Sequence, residues 1–184
     1  MLNSRSLFLS FTCLTVIFFA CKKDNNSNNT VNGTLPTDTV TSFMVNFINT
    51  VDSTVEVASY DDPDGNGPIN PTIGGVTLKK NSSYRVTFMI LDESNPNQMV
   101  LLHSKIKSAG KDYKICISSP LGCSISATDS DGSYPIGLDN LMSTSSTTGS
   151  DYMNFTIKYQ AGVKNGQCDP GQVLFTCNLP VSIQ

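Results

Sequence analysis

Met153-Asn154-Phe155-Thr156-Ile157-Lys158-Tyr159-Gln160 alternates large apolar and polar side chains without a break. Val173, Phe175, Cys177, Leu179, Val181 and Ile183 carry the same rhythm onward. A spacing of two throws successive side chains to opposite faces, the mark of a strand with one face buried and one wetted. Upstream the pattern recurs in Phe43, Val45 and Phe47, in Val55 and Val57, and in Tyr84, Val86, Phe88 and Ile90. Val100, Leu102 and Ile106 follow, then Tyr113, Ile115 and Ile117. No window shows a convincing amphipathic helix. DPDGNGP, KKNSS, ESNPN, SAGKD, SSPLG, DSDGS and VKNGQCDPG separate the strands with residues that favour turns. Seven to ten short strands on this spacing predict an all-β fold, an antiparallel β-sandwich of immunoglobulin-like type over residues 40–184. Pro180, which has no N–H, marks an edge or a bulge in the last strand.

The stretch ahead of the domain sets its surroundings. Arg5 precedes a 14-residue apolar run, Leu7 to Ala20, interrupted only by Ser10, Thr12 and Thr15. That suits the core of a secretory signal peptide and is short for a membrane-spanning helix, which needs about 20 residues. Phe18-Phe19-Ala20-Cys21 resembles the lipobox of bacterial lipoproteins, with Phe at two positions where Leu and a small residue are usual. The resemblance implies removal of residues 1–20 and lipidation of Cys21, so that the membrane is reached through acyl chains. Lys22 lacks the Asp that resembles an inner-membrane retention signal, which favours the outer membrane. Residues 21–39 are crowded with Asn, Ser, Thr and Asp and read as a flexible polar tether. Without residues 1–20 the chain keeps 11 of its 12 basic residues and all 15 acidic ones, a balance that argues against nucleic acid.

The segments VEVASYDDPDGNGP, VTLKKNSSYRVTFMILDES and DSDGSYPIGL resemble small Bacteroidota-type envelope lipoproteins. Some of that family carry a label invoking the type 1 periplasmic-binding fold. Two α/β lobes would need βα alternation and a length that this chain does not have.

With Cys13 in the leader and Cys21 lipidated, Cys116, Cys123, Cys168 and Cys177 remain. An even number in an exported chain reads as two disulfides, and the spacings do not suit structural zinc. Of the three connectivities, the local one (Cys116–Cys123 with Cys168–Cys177) is preferred, because Cys116 and Cys123 flank the SSPLG turn.

Four further features are candidates for a site. Asp62, Asp64 and Asn66 match the opening of a calcium loop, but Ile73 stands where the bidentate Glu should be. A polar inter-strand turn is the preferred reading; the alternative is a structural Ca²⁺ whose missing oxygens come from elsewhere, for example Asp129 and Asp131. His103, Lys105 and Lys107 would share one strand face, either as a basic stripe for a partner or as ordinary solvated charge. Tyr60 and Tyr134 adjoin acidic loops and are the candidates for stacking on a sugar. Asp38-Thr39-Val40 and Asp52-Ser53-Thr54 resemble the acceptor triplet for O-glycosylation in Bacteroidota, with Thr39 the better acceptor.

No G-x-S-x-G elbow or other catalytic constellation is present, so an enzyme is not expected. The expected role is a lipid-anchored envelope lipoprotein that binds or supports a protein or glycan partner. An accessory carbohydrate-binding lipoprotein is the alternative, and a hydrolase comes third.

Overall fold

In chain order the strands begin with β1 (Ser42–Asn49), β2 (Val55–Asp61), β3 (Thr72–Gly74), β4 (Val76–Leu78), β5 (Ser83–Asp92) and β6 (Val100–Leu101). A short helix, α1 (Leu102–Ser108), and one 3₁₀ turn precede β7 (Tyr113–Ser118), β8 (Ser124–Ala127), β9 (Asp139–Ser143), β10 (Gly149–Tyr159) and β11 (Gln172–Ile183). These elements come from a computed structural model, which describes residues 34–65, 67–95 and 97–184. Eleven strands among the described residues exceed the expected ten because β3, β4 and β6 are pieces of two or three residues.

The strands form two sheets, β3-β2-β1-β5-β9-β8 with β6 beside β5, and β4-β11-β10-β7. All pairs are antiparallel except β4 with β11. The sequence alternation decides which face each residue takes in β1, β5, β10 and β11. In β2 it is corrected: Val55 and Val57 are exposed and the core takes Ala58 and Tyr60, the opposite phase of the strand. Phe43, Val45 and Phe47 of β1 are fully buried, while Met44, Asn46 and Ile48 between them are half-buried on the opposite face. Met153, Phe155 and Ile157 of β10 face them from the second sheet, with every second residue of β11 from Phe175 to Ile183. Phe43 joins the two layers. Its ring centre lies 5.4 Å from that of Phe88 in its own sheet, and 5.5 and 5.3 Å from Phe155 and Phe175 opposite. Such ring pairs add about 0.5–1.5 kcal/mol each beyond the area they bury. The all-β sandwich read from period two is the fold of the chain.

Pro180 sits inside β11, paired with Tyr152 on the β10 side. On its other side the parallel ladder with β4 starts only at Val181. The missing N–H therefore falls just beyond the ladder's end. The bulge in this sheet is between Ile157 and Lys158 instead.

The disulfide is Cys116–Cys168, Cα to Cα 5.9 Å, and this corrects the local pairing. Cys116 pairs with Thr156 on the outer face of the second sheet, because its neighbour Ile115 points into the core. Cys177, opposite Phe155, points inward and is 1% exposed. Cys168 lies in the loop from residue 160 to 171, which closes over the outer face, so it reaches Cys116 and not Cys177. Cys123 and Cys177 are buried cysteines outside the disulfide. Lys158 fastens the same loop by donating from Nζ to the carbonyls of Cys168 (2.7 Å) and Asp169 (3.0 Å).

Residues 102–108 form a helix, not a strand. Leu102 and Ile106 are buried four positions apart, one helical turn. The expected tether boundary at residue 39 also falls within ordered chain. Asp38 is paired with Lys105 at 2.6 Å, and the Thr39 amide donates to Asp92 Oδ2 at 2.8 Å. Cys21 lies outside the described residues.

Candidate functional site

The acidic loop after β2 is set by the β1–β2 pairing, which ends at Ser42 opposite Asp61. The chain then turns inward, with the Asp62 amide donating to the Thr41 carbonyl at 2.7 Å. Asp62 is 5% exposed. The Tyr60 hydroxyl donates to its Oδ2 at 2.7 Å. Burial raises the Asp62 pKa, the Tyr60 hydroxyl opposes that shift, and the carboxylates of Asp64 and Asp61 add to it; the net direction is upward. Asp64 Oδ2 accepts the Ile69 amide at 3.0 Å. The Oδ1 atoms of Asp62 and Asp64 are both buried without a hydrogen-bond partner. Beside this loop the Ser42 hydroxyl lies 3.3 Å from Asp61 Oδ1 and 2.5 Å from Glu93 Oε2. Asn66 lies outside the described residues.

Asp129 and Asp131 do not complete this loop. The two oxygens of Asp129 accept the amides of Gly137 and Leu138 at 2.8 and 3.0 Å. Asp131 accepts the amides of Ser133 and Tyr134 and pairs with Lys164. These carboxylates shape their own turn and hold down the loop that carries Lys164.

The helix dissolves the basic stripe. At about 100° per residue, His103 and Lys107 share a face and Lys105 points away from them. Lys105 goes to Asp38 and so fastens α1 to the segment entering β1. Tyr60 is buried against Phe175, ring centres 5.2 Å apart, and offers no platform. Tyr134 is 40% exposed and lines a recess of about 480 Å³ with Lys111, Asp112, Asp131, Ser133 and Lys164. Burial and, after it, the nearby Lys164 charge push the Lys114 ammonium below its usual range. Burial does the same to Lys158.

The two glycosylation triplets are engaged differently. Asp52 accepts the amide and the hydroxyl of Thr54 and pairs with Lys79, so that triplet caps its own turn. Thr39 is half-buried, with its methyl against Gly65.

The sequence reading overlooked a groove on the second sheet. It has a volume of about 400 Å³ and runs between Gly75-Val76-Thr77, Ser150-Asp151-Tyr152 and Pro180-Val181-Ser182. The Ser150 and Ser182 hydroxyls are 3.1 Å apart. Tyr152 is 55% exposed, a bare aromatic beside hydroxyls and a carboxylate. A signal was available: Tyr152 occupies the outward phase of β10, where its neighbours are Asn154, Thr156 and Lys158.

Compared with models of known protein families, with curated proteins and with solved structures, the chain matches none.

Proposed function

We propose that the chain is a lipid-anchored outer-membrane module that binds a neighbouring envelope component through the outer face of its second sheet. Cys21 would carry the lipid, and the segment up to residue 38 would present the domain to its partner. The observation that carries this reading is Tyr152, an exposed ring at the wall of a groove otherwise built from small residues. Rigid aromatics that are left bare concentrate binding energy where they are covered. The same groove favours a glycan as the second reading, since a ring face beside hydroxyls and a carboxylate suits sugar C–H faces and hydroxyls.

Intact-mass analysis of membrane fractions tests the anchor. The expected species begins at Cys21 with acyl chains attached, and a Cys21→Ser protein that still fractionates with membranes would refute it. Cross-linking in intact cells, followed by a glycan array, tests the surface. Wild type is expected to capture a defined partner or glycan and Tyr152→Ala to lose it with unchanged melting. Equal capture by both proteins would remove the groove from the proposal.

A further inference from the structure

Asp62 and Asp64 present two oxygens for which the loop supplies no partner. Asp62 uses Oδ2 for the Tyr60 hydroxyl, and Asp64 uses Oδ2 for the Ile69 amide. Each Oδ1 is buried and receives no hydrogen bond. Asp62 as a whole is 5% exposed, and the two carboxylates lie within hydrogen-bonding reach of each other. Two ionised carboxylates that accept only cannot satisfy one another, and a buried polar atom left without a partner costs about 1–3 kcal/mol, more when charged. A turn made only to reverse the chain leaves its Asp oxygens in water or on its own amides. Here one oxygen of each Asp has neither.

We propose that Asp62 Oδ1 and Asp64 Oδ1 are ligands of a calcium site in the loop that follows β2. The ligand chemistry is all oxygen, which suits a hard cation and not zinc. Among the described residues no third carboxylate, histidine or cysteine joins the pair in a metal-binding group. From the described residues the remaining ligands would be uncharged oxygens, from backbone carbonyls, side-chain amides or water. Calcium accepts six to eight such oxygens at about 2.3–2.6 Å in irregular arrangements, whereas magnesium demands a near-ideal octahedron. The loop is fitted closely to one ligand, since a Cβ placed on Gly67 would overlap the Asp64 carboxylate. Asp61, Asp92 and Glu93 lie at the same end of the sandwich, the first and last joined to β1 through Ser42 and Asp92 to the segment entering β1 through the Thr39 amide. Their negative field raises the local cation concentration.

The test uses the full chain in detergent, stripped with chelator and then titrated with calcium chloride, followed by calorimetry and thermal melting. Asp62→Asn and Asp64→Asn each give the pair a donor, so both should melt in chelator at or above the wild-type temperature. With calcium at a hundred times the dissociation constant, the wild-type midpoint is expected to rise by roughly 5–10 °C. Both variants are expected to lose that rise. Absence of heat and of any shift in wild type at millimolar calcium overturns the proposal, as does an undiminished shift in the two variants. A shift that magnesium reproduces in full overturns the assignment to calcium.

Discussion

Lys164 Nζ lies 2.7 Å from Asp131 Oδ2, with the two side chains only 4% and 7% exposed. The ammonium also donates to the Gly110 carbonyl at 2.7 Å, and Asp131 accepts two backbone amides. Three separate segments thus meet at one buried ion pair. Breaking it by Asp131→Asn leaves an uncompensated buried ammonium and should cost about 3–5 kcal/mol in urea unfolding. Lys164→Met with Asp131→Asn together should cost clearly less, and equal losses would show that the pair is not coupled.

The same pair sets an acid limit. The Lys164 ammonium holds the Asp131 carboxyl at about 2, below its ordinary value of 3.8. The folded value is the lower one, so the stabilisation is complete above the unfolded value and is lost as pH falls through the folded one. Between about pH 5 and pH 2 wild type should lose about 2 kcal/mol that the double variant does not. Parallel pH profiles for the two proteins would refute this.

Peptide mapping without reduction should yield a Cys116–Cys168 peptide, and among the described residues denaturation should expose the thiols of Cys123 and Cys177. The bridge spans a sequence separation of 52, and on the chain-entropy estimate closing such a loop contributes about 4 kcal/mol. The paired Cys116→Ser and Cys168→Ser protein should unfold at correspondingly lower denaturant. Recovery of a Cys116–Cys123 peptide would overturn the pairing.

Phe43 packs against three other rings, one in its own sheet and two across the sandwich, and Met89 is 44% exposed on the outer face of the same sheet. Phe43→Ala should cost about 3–5 kcal/mol. Met89→Ala should stay within about 0.5 kcal/mol of wild type. Comparable losses at both sites would contradict the assignment of faces.

Gly137 and Gly132 both adopt positive φ, +93° and +99°, but differ in what surrounds them. A Cβ on Gly137 would stand 2.5 Å from the Ile115 carbonyl oxygen, whereas Gly132 has open space. Gly132→Ala meets only backbone strain, about 1–2 kcal/mol. Gly137→Ala should cost more, because strand β7 must also shift. A ranking in the opposite order by thermal melting would refute it.

Period two placed Phe43, Val86, Phe155 and Leu179 correctly because their strands have one dry face that local pattern records directly. It failed in β2, where the larger apolar pair Val55 and Val57 is exposed and Ala58 and Tyr60 turn to the core. Residues 102–108 were misread because Leu102 and Ile106 fit both periods: four is two strand steps and also one helical turn. Ser104, in the inward phase of a strand, was the discordant residue. The disulfide was not legible, since it depends on a loop crossing the sheet, a contact between segments that sequence spacing does not encode. The acid pair was half legible. DPDG announced the loop, but the burial of Asp62 follows from the fold of β1 against β2. Tyr152 was legible in phase and was overlooked among its polar neighbours.

The docking of residues 38 and 39 also has a mechanical consequence. A pull on the chain ahead of Asp38 meets the Lys105 ion pair and the Thr39 amide before it reaches β1. That strand is not at an edge, since β2 and β5 hold it on both sides over seven and eight residue pairs. Load applied from the N-terminal side therefore cannot peel away a single outer strand. It must slide β1 between two neighbours at once while dragging Phe43 out of its ring cluster, so the domain meets tension along a strand held on both sides.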